Sequence, residues 1–254
     1  MKNEFWKDWK RITKLEEAAI KSLKTARKII LDNLPKEQIV AIYAKGSFVR
    51  REMNKKSDVD TITILKESRY LKKLQKLEKK YRNEYSPKIQ FSGYSLWELR
   101  NNKRVKTVKK LRARPSRAVK HLEHYVLIYG ALLKKENFNQ GPPKGHLRGM
   151  LFAFKNIFIP GYKKGKLRFS ELAKQVFWLA ENEQVFRGKN PPHHWRKLSK
   201  SIKDKDHIIH DALRVRMKPT KDKKDRAEFI KKLGIYLKKL EKLVLNLTEE
   251  KLAK

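Results

Sequence analysis

The sequence predicts an α+β protein: a small sheet with flanking helices over residues 1–115, then an all-α helical bundle over residues 116–254. Three observations carry that expectation. Short runs rich in apolar and β-branched residues occur before position 115 and lie between stretches of helical periodicity. Residues 100–120 hold ten Lys or Arg and no acid, which marks a boundary as well as a basic patch. From Pro115 onward the apolar residues recur at helical spacing.

Taken in order, Trp6, Trp9, Ile12, Leu15, Ile20, Leu23, Ile29 and Ile30 predict one amphipathic helix over residues 3–33, closed by Leu34-Pro35. Gln38 to Ala44 is a nearly continuous apolar run, as expected for a strand buried on both faces. Ser57 to Leu65 is a second strand, and residues 67–84 return to helix with Tyr70, Leu71, Leu74, Leu77 and Tyr81 as its stripe. Lys88 to Tyr94 alternates like a third strand. Beyond the basic stretch, Leu122, Tyr125, Val126, Tyr129 and Leu132 predict a helix over 116–134, followed by a loop at Gly141-Pro142-Pro143. A helix over 146–158 is expected to end at Pro160-Gly161, and Ser170 to cap a helix running to Phe186. Residues 196–217 and 223–252 supply the last two helices.

The composition narrows the function. The 254 residues carry 65 Lys+Arg against 27 Asp+Glu, a formal net charge of +38. Self-repulsion on that scale favours a polyanionic partner, nucleic acid before an anionic membrane. Aromatics at 10% give the chain something to bury and argue against a disordered basic tail. With no cysteine, a disulfide scaffold, a thiol nucleophile, a Cys zinc site and an iron–sulfur cluster are excluded. No apolar run reaches the ~18–20 residues that cross a bilayer, and the first residues lack the apolar stretch of a secretory signal. A soluble cytoplasmic protein with no membrane partner is expected.

The chemistry concentrates between the first two strands, in Gly46-Ser47-Phe48-Val49-Arg50-Arg51-Glu52 and Ser57-Asp58-Val59-Asp60. Residues two apart in a strand face the same way, so Asp58 and Asp60 are expected to set two carboxylates side by side. Unpaired, they would repel; a divalent cation removes that cost, and oxygen ligands beside a phosphate suit Mg²⁺. Gly46 lets the backbone approach a phosphate and Ser47 offers a hydroxyl. A helix starting just after them would aim its N–H groups at the same anion, with Arg50 and Arg51 a turn further on. One connection would then hold the triphosphate of an NTP and the next strand its metal.

Gly-Ser, ten residues, then Asp-x-Asp resembles the nucleotidyltransferase superfamily that includes DNA polymerase beta. The surrounding GSF-x-R-x-E and S-D-V-D look most like its minimal and kanamycin nucleotidyltransferase-like branches. The resemblance implies a small mixed-sheet catalytic domain followed by a helical domain. It implies that Gly46 and Ser47 grip the nucleotide phosphates and that Asp58 and Asp60 hold Mg²⁺. The expected activity is transfer of a nucleoside monophosphate from an NTP to a hydroxyl, with pyrophosphate released. On charge grounds the expected acceptor is RNA, tRNA-like before others, docked by Arg100, Lys103, Arg104, Lys106, Lys109, Lys110, Arg112, Arg114 and the basic helical half. Two rivals stand beside it: a non-catalytic RNA-binding protein on a degenerate transferase fold, and a toxin–antitoxin-type enzyme that nucleotidylates a protein.

Two departures matter. Family members often have Gly where this chain has Arg51. Many also carry a third carboxylate on the next strand, where this chain offers Gln90, a neutral amide that is no general base and a poor bridging ligand. Glu52, Glu67 and Glu123 are the candidate substitutes. The pairs His121/His124 and His207/His210 lack an obvious third ligand and are not read as zinc sites.

Overall fold

A computed structural model describes residues 4–106 and 113–249 of the chain. The described chain divides into two compact units, residues 1–140 and 141–254. No helix among the described residues is long and apolar enough to cross a membrane.

The first unit is built on a four-stranded mixed sheet. Its strands are β1 (Ile39–Lys45), β2 (Val59–Leu65), β3 (Ile89–Ser95) and β4 (Val126–Gly130), in the order β3-β2-β1-β4. β1 runs antiparallel to both β2 and β4, whereas β2 and β3 are parallel. The helix α2 (Leu71–Tyr81) makes the crossover between those parallel strands. Alternation along the strands feeds two cores. Ile42, Ala44, Val59, Leu65, Ile89 and Phe91 pack with Leu23, Ile30, Leu71 and Leu74 of α1 (Lys14–Asn33) and α2. Ala41, Tyr43, Ile62, Ile64 and Tyr94 pack on the other face with Leu99 of α3 (Leu96–Asn101) and Val119 of α4 (Pro115–Lys120). The sheet is therefore buried on both sides, as the apolar runs predict.

Several boundaries differ from those the sequence predicts, each for a local reason. The first helix starts at Lys14 rather than near residue 3. Thr13 and Glu16 form a reciprocal capping box there, and Phe5, Trp6 and Trp9 lie in the turn-rich segment before it. Residues 116–134 are not one helix. A short α4 and a single 3₁₀ turn lead into β4, which pairs along β1 and protects its backbone polar groups. Strand pairing thus outweighs helical spacing here, and the division between units falls at 140/141 instead of 115/116.

The second unit is all-α, with a core that includes Leu147, Phe154, Leu172, Phe177, Trp195, Ile209, Phe229, Leu233 and Leu240. Its helices are α5 (Pro143–Ala153), α6 (Ile159–Lys163), α7 (Phe169–Phe186), α8 (Trp195–Ser201), α9 (Ile208–Met217) and α10 (Lys223–Glu249). Pro160 does not end the helical run. A π-helical turn, Phe154–Phe158, runs straight into α6, whose second residue is Pro160. α7 starts at Phe169 with Arg168 at the N-cap position, so Ser170 lies inside its first turn. The predicted 196–217 helix is two helices, because His207 caps α9 by accepting the Ile209 N–H at Nδ1, 3.1 Å away.

The C-terminal end of α7, the N-cap of α9 and the middle of α10 meet in a buried polar network. Glu183 accepts hydrogen bonds from Arg187 Nε at 3.0 Å, from His207 Nε2 at 3.1 Å and from the Tyr236 hydroxyl. Burial pushes the Glu183 carboxyl up, but these donors outweigh it and hold the group at about 2. Burial and the Glu183 charge push the Tyr236 phenol well above its ordinary value.

Candidate active site

The turn after β1 and the start of β2 meet at one point. Gly46 has φ +85°, a left-handed conformation that a side chain strains. A Cβ on Gly46 would also lie 2.5 Å from Asp60 Oδ2. The glycine is thus required twice: by the turn, and by the Asp60 carboxylate against its α-carbon. Asp60 stands opposite Lys45 on β1, the residue just before Gly46, so sheet register fixes this approach.

The turn itself is a single helix-like coil with no assigned helix after it. The Arg50 N–H reaches the Gly46 carbonyl at 3.3 Å, and the Glu52 N–H reaches the Ser47 carbonyl at 2.8 Å. The expected helix N-terminus is therefore one turn only. Gly46, Ser47, Asp58 and Asp60 are all partly exposed, open to a ligand while their backbones are held. Phe48, next to Ser47, is fully buried and anchors the turn.

Asp58 precedes β2 and Asp60 lies in it. An Asx-type turn sets the approach to Asp58: Asn54 Oδ1 accepts the Lys56 N–H at 2.9 Å, and Ser57 Oγ accepts the Asn54 N–H at 2.9 Å. The Val59 N–H donates to the Lys88 carbonyl at 2.8 Å and locks the strand start to the residue before β3. Arg82 Nη2, just beyond α2, lies 3.9 Å from Asp58 Oδ2, a cation that sequence reading did not connect to this site.

On the parallel neighbour β3, Gln90 is the register partner of Asp60. The amide thus occupies the place where the resemblance implies a third carboxylate. Among the described residues, no third acid or histidine joins Asp58 and Asp60 in a group with ligand atoms within 4.8 Å of one another. The three candidate substitutes are engaged elsewhere. Glu52 takes a 2.7 Å bond from Arg50 Nε, Glu67 lies 2.8 Å from Arg69 Nε, and Glu123 lies 2.5 Å from Lys135 Nζ. Glu123 also belongs to the first unit, on the 3₁₀ turn before β4, and not to the helical unit expected for it.

The two arginines of the turn are placed differently from the expectation of phosphate ligands. Arg50 is buried and paired with Glu52. Arg51 has φ +54°, a position that suits the glycine found in family members. Its guanidinium donates to Glu16 Oε1 at 2.9 Å and to the Arg11 carbonyl at 2.5 Å, and lies 4.5 Å from the Trp9 ring centroid. Burial raises the Glu16 carboxyl, but hydrogen bonds from Arg51 and Thr13 win and hold it below the usual range.

Of the basic stretch, Arg100, Lys103, Arg104, Lys106 and Arg114 are exposed. Lys109, Lys110 and Arg112 lie outside the described residues. The flanks are tied down: Glu98 Oε1 accepts the Val105 N–H at 2.8 Å, and Asn102 Oδ1 accepts the Ser116 N–H at 2.9 Å.

Sheet, turn and acidic strand together define a class, and the family comparison agrees: residues 23–127 match the family model described as nucleotidyltransferase domain. The chain carries a nucleotidyltransferase domain over those residues and is an enzyme of that kind. Among solved structures, it is similar to spectinomycin adenyltransferase AAD(9) from Enterococcus faecialis, crystallised with ATP and spectinomycin. The identity is 14% and the TM-score 0.57, over 86% of this chain and 99% of that one, a likeness of fold. No curated protein matches by sequence.

Proposed function

We propose that the chain transfers the nucleoside monophosphate of an NTP to a hydroxyl acceptor, releasing pyrophosphate, and that the acceptor is a structured RNA of tRNA-like kind. The observation that carries the transfer chemistry is the packing of Gly46 against Asp60 Oδ2. It sets the Gly46 turn directly beside an acidic strand. The donor set is all oxygen and partly exposed, which fits Mg²⁺ at Asp58 and Asp60. When bound there, the ion supplies charge neutralisation at the phosphates. Ser47 and the backbone of the turn orient those phosphates, and the fixed register of β1, β2 and β3 keeps the site from spreading. In the transfer, the acceptor hydroxyl oxygen bonds to the α-phosphorus as the bond from that phosphorus to the oxygen bridging to the β-phosphate breaks; pyrophosphate leaves and the hydroxyl proton is released.

The net charge of +38 supports an RNA acceptor. A second reading rests on the solved neighbour, whose structure holds ATP and spectinomycin: a small-molecule hydroxyl acceptor. One experiment separates them. The purified chain is incubated with Mg²⁺ and each α-labelled NTP in turn, with total RNA or with a panel of spectinomycin-like and aminoglycoside hydroxyl compounds. Labelled RNA, abolished by Asp58→Asn with Asp60→Asn, is the expected result. Label on a small molecule alone favours the second reading, and label on a co-purified protein favours a protein acceptor. Tight, salt-sensitive RNA binding with no labelling by any NTP would sink the transferase reading.

A further inference from the structure

We propose that the segment ahead of α1, with Arg51, forms a clasp that sets the shape of the Gly46–Arg51 turn, making Trp9 and Arg51 positioning residues for the nucleotide. The inference rests on the reading of that turn as the phosphate site. Two sets of contacts carry it. The first is aromatic. Phe48, the residue after Ser47, is 1% exposed, and its ring is met edge-on by Phe5 at 5.7 Å and Trp9 at 5.4 Å. Those rings also meet each other at 5.8 Å, so residues that precede the first helix form the aromatic part of the Phe48 socket. The second is ionic. Arg51 closes the turn and holds φ +54°. Its guanidinium joins Glu16, the Arg11 carbonyl and the face of Trp9 at once.

The segment is itself fastened to α1. Glu4 lies 2.9 Å from Lys24 Nζ, and the same lysine lies 5.6 Å from the Trp6 ring. Hydrogen bonds from Lys24 and Lys7 outweigh burial and hold Glu4 below the usual carboxylate range. A left-handed arginine persists only where surrounding contacts over-determine it. Here these contacts come from both sides of the turn, through Phe48 at its start and Arg51 at its end. A glycine in place of Arg51 would adopt the same φ without strain, yet would lose the link to the N-terminal segment. The arginine thus exchanges local ease for a tether, and the tethered element carries Gly46 and Ser47.

The test compares full-length Arg51→Gly, Trp9→Ala and Trp9→Phe with the wild type. Arg51→Gly removes an exposed side chain and relieves its backbone, which guards against a folding artefact. Hydrogen exchange of the peptide spanning residues 46–52 is read without nucleotide. It should speed up at least about tenfold in Arg51→Gly and Trp9→Ala, and stay within about twofold in Trp9→Phe, which keeps a ring against Phe48 and the guanidinium. In the labelling reaction KM for the NTP should rise about tenfold in the first two variants while kcat at saturation changes about twofold or less. Unchanged exchange and unchanged KM overturn the clasp. Faster exchange with wild-type KM overturns the positioning role. A wild type that binds no NTP overturns the nucleotide reading beneath it, and with it the assignment of Trp9 and Arg51 to the nucleotide.

Discussion

At Gly46 the backbone and the chemistry impose the same residue for different reasons. The left-handed φ of +85° excludes most side chains, and the Asp60 carboxylate excludes even a methyl, at 2.5 Å. Alanine there must push Asp60 aside by a distance that costs reactions about 10²-fold when it misplaces reacting groups. Gly46→Ala should therefore lose at least about 100-fold in kcat/KM, with thermal stability falling only modestly because the site is partly exposed. Steady-state labelling beside a melting curve checks both halves. Gln90 gives a second residue-scale prediction. It is the register partner of Asp60, so Gln90→Asp sets a third carboxylate beside two others. Without metal, that adds like-charge repulsion; with metal, it adds a ligand. The variant should melt lower than the wild type in EDTA and gain more from millimolar Mg²⁺, a crossing that calorimetry with and without the ion resolves. Equal Mg²⁺ shifts in both proteins would show that position 90 lies off the metal.

At the scale of elements, the turn-and-strand site was legible because it rests on local rules. Strands β1, β2 and β3 announced themselves by β-branched and apolar runs, and the Gly-Ser and Asp-x-Asp motifs sat at their ends. The parts that escaped were of two kinds. Some rest on short local signals: Thr13-x-x-Glu16 and Ser95-x-x-Glu98 are both capping boxes, and they start α1 and α3. Others depended on partners far away in sequence. Val126-Leu127-Ile128-Tyr129 fits a helix or a strand, and only the open edge of β1 decides it. Gly130 shows the outcome: φ +84°, with a Cβ there falling 2.2 Å from the Val40 carbonyl oxygen. The Arg51–Glu16 and Glu183–His207 contacts likewise join residues 35 and 24 apart, which periodicity cannot pair. The network makes its own prediction. Glu183 sits at about 2 when folded, against 4.5 ordinarily. A depressed carboxylate contributes stability that is full above about pH 4.5 and is lost as pH falls toward 2. Glu183→Gln should cost about 3 kcal/mol at pH 7 and progressively less on acidification. Denaturant melts at pH 7, 4 and 3 should show the two proteins converging; a constant gap would place the stabilisation in packing instead of charge.

At the scale of the whole molecule, the charge is not a property of the nucleotide turn. Residues 1–140 carry 36 Lys+Arg against 15 acids, and residues 141–254 carry 29 against 12. Both units are basic, whereas at the turn Arg50 and Arg51 are paired with Glu52 and Glu16. The excess therefore bears on the acceptor more than on the NTP, and salt separates the acceptor classes. An acceptor that touches six or more phosphates releases as many counter-ions, and its affinity falls about 10³-fold or more between 50 and 200 mM salt. A small hydroxyl compound releases few, so its KM should move by only a few-fold over the same range. Reversing Arg100, Lys103 and Arg104 to Glu removes three exposed cations beside the domain's third helix. If RNA docks there, the slope of log affinity against log salt should become shallower by about two to three, each phosphate contact contributing about 0.7–0.9. The KM for the NTP should stay within a few-fold, because these residues lie outside the Gly46–Asp60 site. A wild-type slope in the triple variant would move the RNA footprint off this stretch. A slope near zero for every acceptor in the wild type would leave the basic surface without a part in acceptor binding and favour a small-molecule hydroxyl.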